Sequence, residues 1–181
     1  MNDYGTLIDA KTIQFKRLLP GSIDEVWSYL VESDKRMKWF AAGKTELSVG
    51  GAVELEFRNG ELSSLPDEPP SDKYHDLPET VSFVGRVVHC SPPTILSFVW
   101  PGEKEDSEVT FELQKSGDQV LFTITHKRIG RQNELLSACA GWHTHLDILA
   151  DVLNRGNSRP FWVTHNALEL EYKKLLQSTD S

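Results

Sequence analysis

The sequence predicts an α+β fold in which one antiparallel sheet buries a face against a single long helix. Three observations carry this. Segments with a two-residue apolar period fill much of the chain from Val53 to Arg128. The stretch from about Gln132 to Leu153 has a three-and-four apolar spacing over its whole length. Between the strand-like segments there is no regular helix of the kind a parallel sheet needs for its crossovers.

Each element has a local reason. From Ala10 to Leu19, "AKTIQFKRLL" alternates and sets Ile13, Phe15 and Leu19 on one face of a strand. In "PGSIDEVWSYLVES", Ser22 and Glu25 have the spacing of a capping box, and Ile23, Val26, Trp27 and Leu30 share one helical face. A second short helix is expected in "SDKRMKWF", capped by Ser33 or Asp34. After the turn at Gly50-Gly51, "VELEF" points Val53, Leu55 and Phe57 inward and Glu54 and Glu56 outward. Strands resume with "TVSFVGRVVHC", "TILSFVW", "SEVTFELQK" and "QVLFTITHKR". The last two read as a hairpin with Val109, Phe111 and Leu113 inward on one side and Val120, Phe122, Ile124 and His126 inward on the other. The long helix ends at Asn154-Arg155-Gly156, a glycine-containing C-cap. A tail helix over 158–178 follows, with Pro160 near its first turn.

Between Arg58 and Glu79 neither period holds, and Pro66, Pro69, Pro70 and Pro78 interrupt the backbone donors. Loops of this length in compact domains are often lids or binding loops. Leu62, Leu65, Tyr74 and Leu77 give this one apolar groups that could fold over a pocket mouth.

Composition narrows the function classes. The 181 residues carry a formal net charge of −8, which disfavours a nucleic-acid backbone or an anionic membrane as partner. No apolar run approaches the roughly 20 residues that span a bilayer, and "MNDYGTLIDAK" lacks the parts of a signal peptide. Cys90 and Cys139 are too few for a disulfide framework and suit reduced thiols. A cytoplasmic protein is expected.

"GWHTHLDILADVL", Gly141 to Leu153, looks at first like chemistry. On a helix, however, His143 and His145 point about 160° apart and cannot chelate one ion. Leu135, Cys139, Trp142, Leu146, Leu149 and Leu153 form the apolar stripe, the two histidines flank it, and Thr144, Asp147 and Asp151 make the expected solvent face. The segment is chiefly a wall. No metal site is expected.

Catalytic chemistry would need a general acid or base beside a substrate. His126, His143, His89, Glu54, Glu56 and Arg86 are the candidates, with the glutamates expected in solvent. His165 and Glu169 lie four apart on the tail helix, where a surface ion pair is the simpler reading. There is no G-x-S-x-G elbow, no phosphate-binding glycine loop and no Cys-x-x-Cys, so nothing compels a reaction and no catalytic residue is assigned. The tail helix carries Phe161, Trp162, Leu168, Tyr172, Leu175 and Leu176, an apolar load that must pack on its own chain or on a second copy as a homodimer. Its own chain is the expected surface.

In this order of elements, the stretches "LPGSIDEVWSYL", "MKWF", "VGGAVELEF", "GRVVHCSPPTILSFVW", "SEVTFELQKSGDQVLFTITH" and "GWHTHLDILADVL" resemble the START-like, Bet v 1-like helix-grip superfamily, also called SRPBCC. Within it the chain is similar to homologues of the C-terminal domain of the heat-shock protein 90 ATPase activator, over about Ile13 to Leu176. The tail "FWVTHNALELEYKKLL" is similar to their stand-alone bacterial branch.

The resemblance implies one helix-grip domain over 10–178. In it a curved sheet wraps the long helix, with two short helices after the first strand and the tail helix appended. It further implies an interior cavity, commonly a binding pocket for a hydrophobic small molecule, and it does not imply a shared catalytic motif; no cofactor is expected. The activator's separate N-terminal domain has no counterpart here, so a chaperone contact is not expected to carry over. The alternatives to a ligand binder are a co-chaperone-like module and a cyclase- or hydrolase-type enzyme using pocket histidines. The residues expected to line or close the cavity are Trp39, Phe40, Phe57, Phe83, Trp100, Phe111, Phe122, His126, Trp142 and Leu146.

Overall fold

A computed structural model describes residues 3–70, 74 and 76–179, with the side chains of all but Ser178 and Thr179. The chain opens with a hairpin of Thr6–Asp9 (β1) and Thr12–Pro20 (β2), then runs through helices Ile23–Val31 (α1) and Ser33–Arg36 (α2). Five strands follow: Ala52–Phe57 (β3), Val81–Ser91 (β4), Ile95–Trp100 (β5), Ser107–Ser116 (β6) and Gln119–Lys127 (β7). Helices Gln132–Leu153 (α3) and Phe161–Thr179 (α4) close the chain.

The seven strands form one antiparallel sheet in the order β1-β2-β7-β6-β5-β4-β3. β3 to β7 make a simple meander, and β2 then closes on β7 with Phe15 opposite Ile124 and Arg17 opposite Phe122. The period-two expectation holds: Val53, Leu55, Val109, Phe111, Val120, Phe122 and Ile124 are all buried. β1 was not expected. Its four residues are mostly exposed and do not alternate, so the sheet begins ahead of Ala10 without an apolar signal.

The sheet bends where β4 crosses it. Any Cβ at Gly85 would lie 2.5 Å from the Val99 carbonyl oxygen, and a register shift between Val87 and His89 adds a bulge. α3 has the expected limits and lies against the concave face, burying Leu135, Cys139, Trp142, Leu146 and Leu149.

Three expectations need correction. The helix in "SDKRMKWF" is only one turn and neither Ser33 nor Asp34 caps it; Glu32 is the N-cap, and the Ser33 hydroxyl instead accepts the Gly43 amide at 2.9 Å. The tail helix begins at Phe161, directly after Pro160, rather than at 158. The supposed solvent face of α3 is covered. Thr144 is fully buried, and Asp147 and Asp151 are largely enclosed by the return of the chain toward α4. Arg159 reaches Asp151 and Asp147, each at 2.8 Å, while Arg17 on β2 reaches Asp147 at 3.4 Å. α3 is thus packed on two sides, and its polar stripe is an ion-pair layer. As expected, α4 packs on its own chain, burying Phe161, Leu168 and Tyr172.

Arg36 holds the segment between α2 and β3. It is 1% exposed, and its guanidinium donates to the carbonyls of Ala41 (2.9 Å), Gly43 (2.7 Å) and Glu54 (2.8 Å) and to the Thr45 hydroxyl. A planar five-donor group suits this crowd of acceptors. Burial still lowers its pKa to about 10. The staple fixes Trp39 and Phe40 beneath α3.

Candidate functional site

Between the bent end of the sheet, α3 and α4 lies a pocket of about 1050 Å³. Phe40, Phe57, Phe83, Trp100 and Trp142 form its inner wall, and Phe161, Trp162 and Tyr74 complete it from the tail side. The rings touch one another: Phe40 stacks on Trp142 at 5.1 Å, Phe57 on Phe83 at 5.6 Å, and Trp100 lies 4.6 Å from Phe83. On α3 the pocket meets Ser137, Ala138 and Gly141. These small side chains leave the helix thin where the space is, and a Cβ at Gly141 would meet nothing within 4 Å.

Of the residues expected to line the cavity, Phe40, Phe57, Phe83, Trp100, His126 and Trp142 border the pocket. Trp39, Phe111, Phe122 and Leu146 do not; they are packed in the core behind it, with Trp39 edge-on to Phe122 and Phe111 edge-on to Trp142. Strand parity identifies the inward face but not the end at which sheet and helix part.

Three histidines reach the pocket. His126 Nδ1 accepts the Trp142 indole N–H at 3.1 Å, so Nε2 carries the proton and donates to the Ser107 hydroxyl at 2.8 Å. Ser107 passes the relay to the Trp100 carbonyl at 3.4 Å. Burial lowers His126 to about 4, so the ring is neutral. A serine beside a histidine looks like a nucleophile with its base, but here the nitrogen facing the hydroxyl is a donor and cannot take its proton.

His145 is the opposite case. Its Nδ1 lies 2.7 Å from the Trp39 carbonyl, which can only accept, so Nδ1–H donates and Nε2 keeps the lone pair. Desolvation lowers His145 to about 4 against the opposing pull of that carbonyl. The ring lines the pocket, 4.9 Å from Phe161 and 5.0 Å edge-on to Phe40. His165 is also buried and stacks on Phe161 at 5.3 Å, so it is no surface residue; Glu169 accepts the Tyr74 hydroxyl at 3.0 Å.

The remaining candidates lie elsewhere. His143 turns away from His145, as the helical spacing requires, and its Nδ1 is 2.9 Å from the Tyr172 hydroxyl under α4. Glu54 and Arg86 are exposed and Glu56 is half-buried beside Arg58, while His89 is exposed at the β4 bulge. Among the described residues no three His, Cys, Asp or Glu side chains converge in a way that could hold a metal ion.

The Arg58–Glu79 loop borders the mouth with Arg58, Asn59, Asp67, Tyr74 and Leu77. Leu62 is buried, whereas Leu65 is exposed. Asp67 anchors the loop to α4, its carboxylate accepting the Trp162 amide at 2.9 Å and the Val163 amide at 3.2 Å. Ser71–Lys73 and His75 of the expected lid lie outside the described residues.

Sequence reasoning missed His145, Asn59 and the α4 contribution to the pocket. A signal for His145 was present: it lies three residues from Trp142, on the same side of the helix.

A curved antiparallel sheet gripping a long C-terminal helix defines an α+β helix-grip protein of the SRPBCC superfamily. The chain belongs to the family described as activator of Hsp90 ATPase homolog 1-like protein, whose pattern matches residues 20–154. A Bordetella parapertussis protein solved by NMR is 34% identical, covers 95% of this chain and 90% of its own, and superposes with a TM-score of 0.79. CalU16 from Micromonospora echinospora is 23% identical over 92% of this chain and 88% of its own, with a TM-score of 0.64. The Aha1 dimer from Colwellia psychrerythraea is 16% identical over 80% and 97%, with a TM-score of 0.55. These two share the fold. No protein of curated function matches the chain. Among the described residues no helix is long and apolar enough to cross a membrane.

Proposed function

We propose that this protein binds an apolar or amphipathic small molecule between the bent sheet, α3 and α4. The observation that carries the reading is the 1050 Å³ pocket walled by aromatic rings, of a size and lining that suit a small organic ligand. Binding would take place in the cytoplasm, a location supported by the chain's only two cysteines, Cys90 and Cys139, being free. The experiment is native mass spectrometry of the purified protein for a co-purifying small molecule, joined to displacement of a fluorescent apolar probe. Saturable probe binding that a filled-pocket variant loses supports the site. No saturable binding of any apolar probe defeats it.

The enzymatic alternative is weakened by the Ser107–His126 geometry, since the proton sits on the nitrogen that would have to accept one. The family's description favours a second reading, a chaperone contact. Titration into a heat-shock protein 90 ATPase assay separates the two. A flat response is expected, and saturable stimulation at micromolar concentration would replace the ligand binder with a co-chaperone.

A further inference from the structure

We propose that the pocket selects its ligand by charge, taking aromatic amphiphiles with a cationic head and rejecting those with a carboxylate. The inference rests on the ligand-binding reading and names the class of ligand.

Acceptors stand at both ends of the pocket. Inside, His145 offers the Nε2 lone pair, because its only N–H is held by the Trp39 carbonyl. Asn59 Oδ1 is buried at the same pocket without a hydrogen-bond partner. At the mouth, Glu68, Glu79, Glu103 and Glu105 form no ion pair among the described residues. The two arginines that border the pocket are already engaged: Arg58 with Glu56 at 3.0 Å and Arg128 with Glu108 at 3.2 Å.

A carboxylate entering head first would face the His145 lone pair among aromatic rings, where a charge without a donor opposite it is costly. Entering tail first, it would stop among like charges. An ammonium left at the mouth meets carboxylates there, and one drawn inward meets an aromatic lining that includes Trp100 and Trp142, and aromatic rings attract cations. A net charge of −8 adds to the same preference at longer range.

Three probes with one ring system test this at pH 7: 2-naphthylmethylammonium, 2-naphthalenemethanol and 2-naphthoate, titrated by calorimetry against the full chain. The expected order is ammonium tightest, alcohol intermediate and carboxylate weakest, with at least tenfold between the ends. Added salt should compress that gap. Because Glu103 and Glu105 are exposed, the double variant E103Q/E105Q should fold normally. It should narrow the ammonium-to-carboxylate ratio several-fold while leaving the alcohol unchanged. If naphthoate binds as tightly as the ammonium, charge selection is wrong and the ligand-binding reading stands. If none of the three binds, the ligand-binding reading falls with it.

Discussion

The Trp142 indole N–H donates to Nδ1 of His126 at 3.1 Å, and that one bond decides which nitrogen of the imidazole carries the proton. Trp142→Phe removes the donor while keeping most of the ring's bulk. We expect nitrogen chemical shifts to report a single Nε2–H tautomer for His126 in the unaltered protein and a mixture in Trp142→Phe. A mixture already present in the unaltered protein would mean that the relay to Ser107 does not fix the ring.

Acid should destabilise the fold through two histidines. His126 and His145 are each lowered by burial from 6.5 to about 4. Above 6.5 both folded and unfolded chains hold neutral rings, and their contribution to stability is complete. Between 6.5 and 4 only the unfolded chain takes up protons, so stability falls as pH falls, by roughly 3 kcal/mol per histidine at most. Urea denaturation at steps from pH 7 to pH 4 measures the slope, and His126→Gln should flatten it. An unchanged slope in that variant would locate the acid sensitivity elsewhere.

Gly141 allows the pocket to be filled without disturbing the core. Alanine there should stabilise α3 by about 0.5–1 kcal/mol, since glycine is a poor mid-helix residue and the new methyl meets nothing. Gly141→Leu should remain folded by thermal melting and lose apolar-probe affinity at least fivefold. Full affinity in a folded Gly141→Leu protein would place binding outside the pocket.

Arg36→Lys should cost about 3 kcal/mol or more, although it preserves the charge. An ammonium cannot reach the carbonyls of Ala41, Gly43 and Glu54 together, and the buried acceptors left over carry a desolvation penalty. Chemical denaturation gives the loss directly. A change below 1 kcal/mol would show that water or local movement replaces the fork.

Asp67→Ala tests whether the proline-rich loop and the tail helix move as one piece. Loss of the carboxylate leaves the first α4 amides uncapped, at about 1 kcal/mol. Hydrogen exchange should rise together in residues 62–69 and 161–165 and stay constant in β6 and β7. A rise in only one segment would separate loop from helix.

Much of the scaffold was legible because it rests on periodicity. Val53, Leu55 and Phe57 declared their face, the β6–β7 hairpin its inward residues, and α3 both its limits. Features made by distant partners were not legible. Arg36 reads as a surface residue in a basic "DKRMK" run until its carbonyl acceptors are assembled around it. Asp147 reads as solvent-facing until Arg17 and Arg159 close over it. The pocket was half visible: the aromatic inward residues could be named, but not which of them stand where the helix leaves the sheet. His145 was set aside as a flanking residue because its meaning comes from the Trp39 carbonyl, 106 positions away in the chain.

The roof of the pocket has a different standing from its floor. The shared family pattern stops at residue 154, yet Phe161, Trp162 and His165 come from the helix after it. That helix is fastened at Asp67, at Tyr74 through Glu169 and at His143 and Gly5 through Tyr172, and it buries Phe161, Leu168 and Tyr172 against the rest of the chain. Substitutions at Trp162, half-buried on that segment, would therefore reshape the roof while the aromatic wall on the sheet and α3 stays as it is. Roof and wall thus come from two stretches of the chain, and the roof is also core, since Phe161 is buried against both.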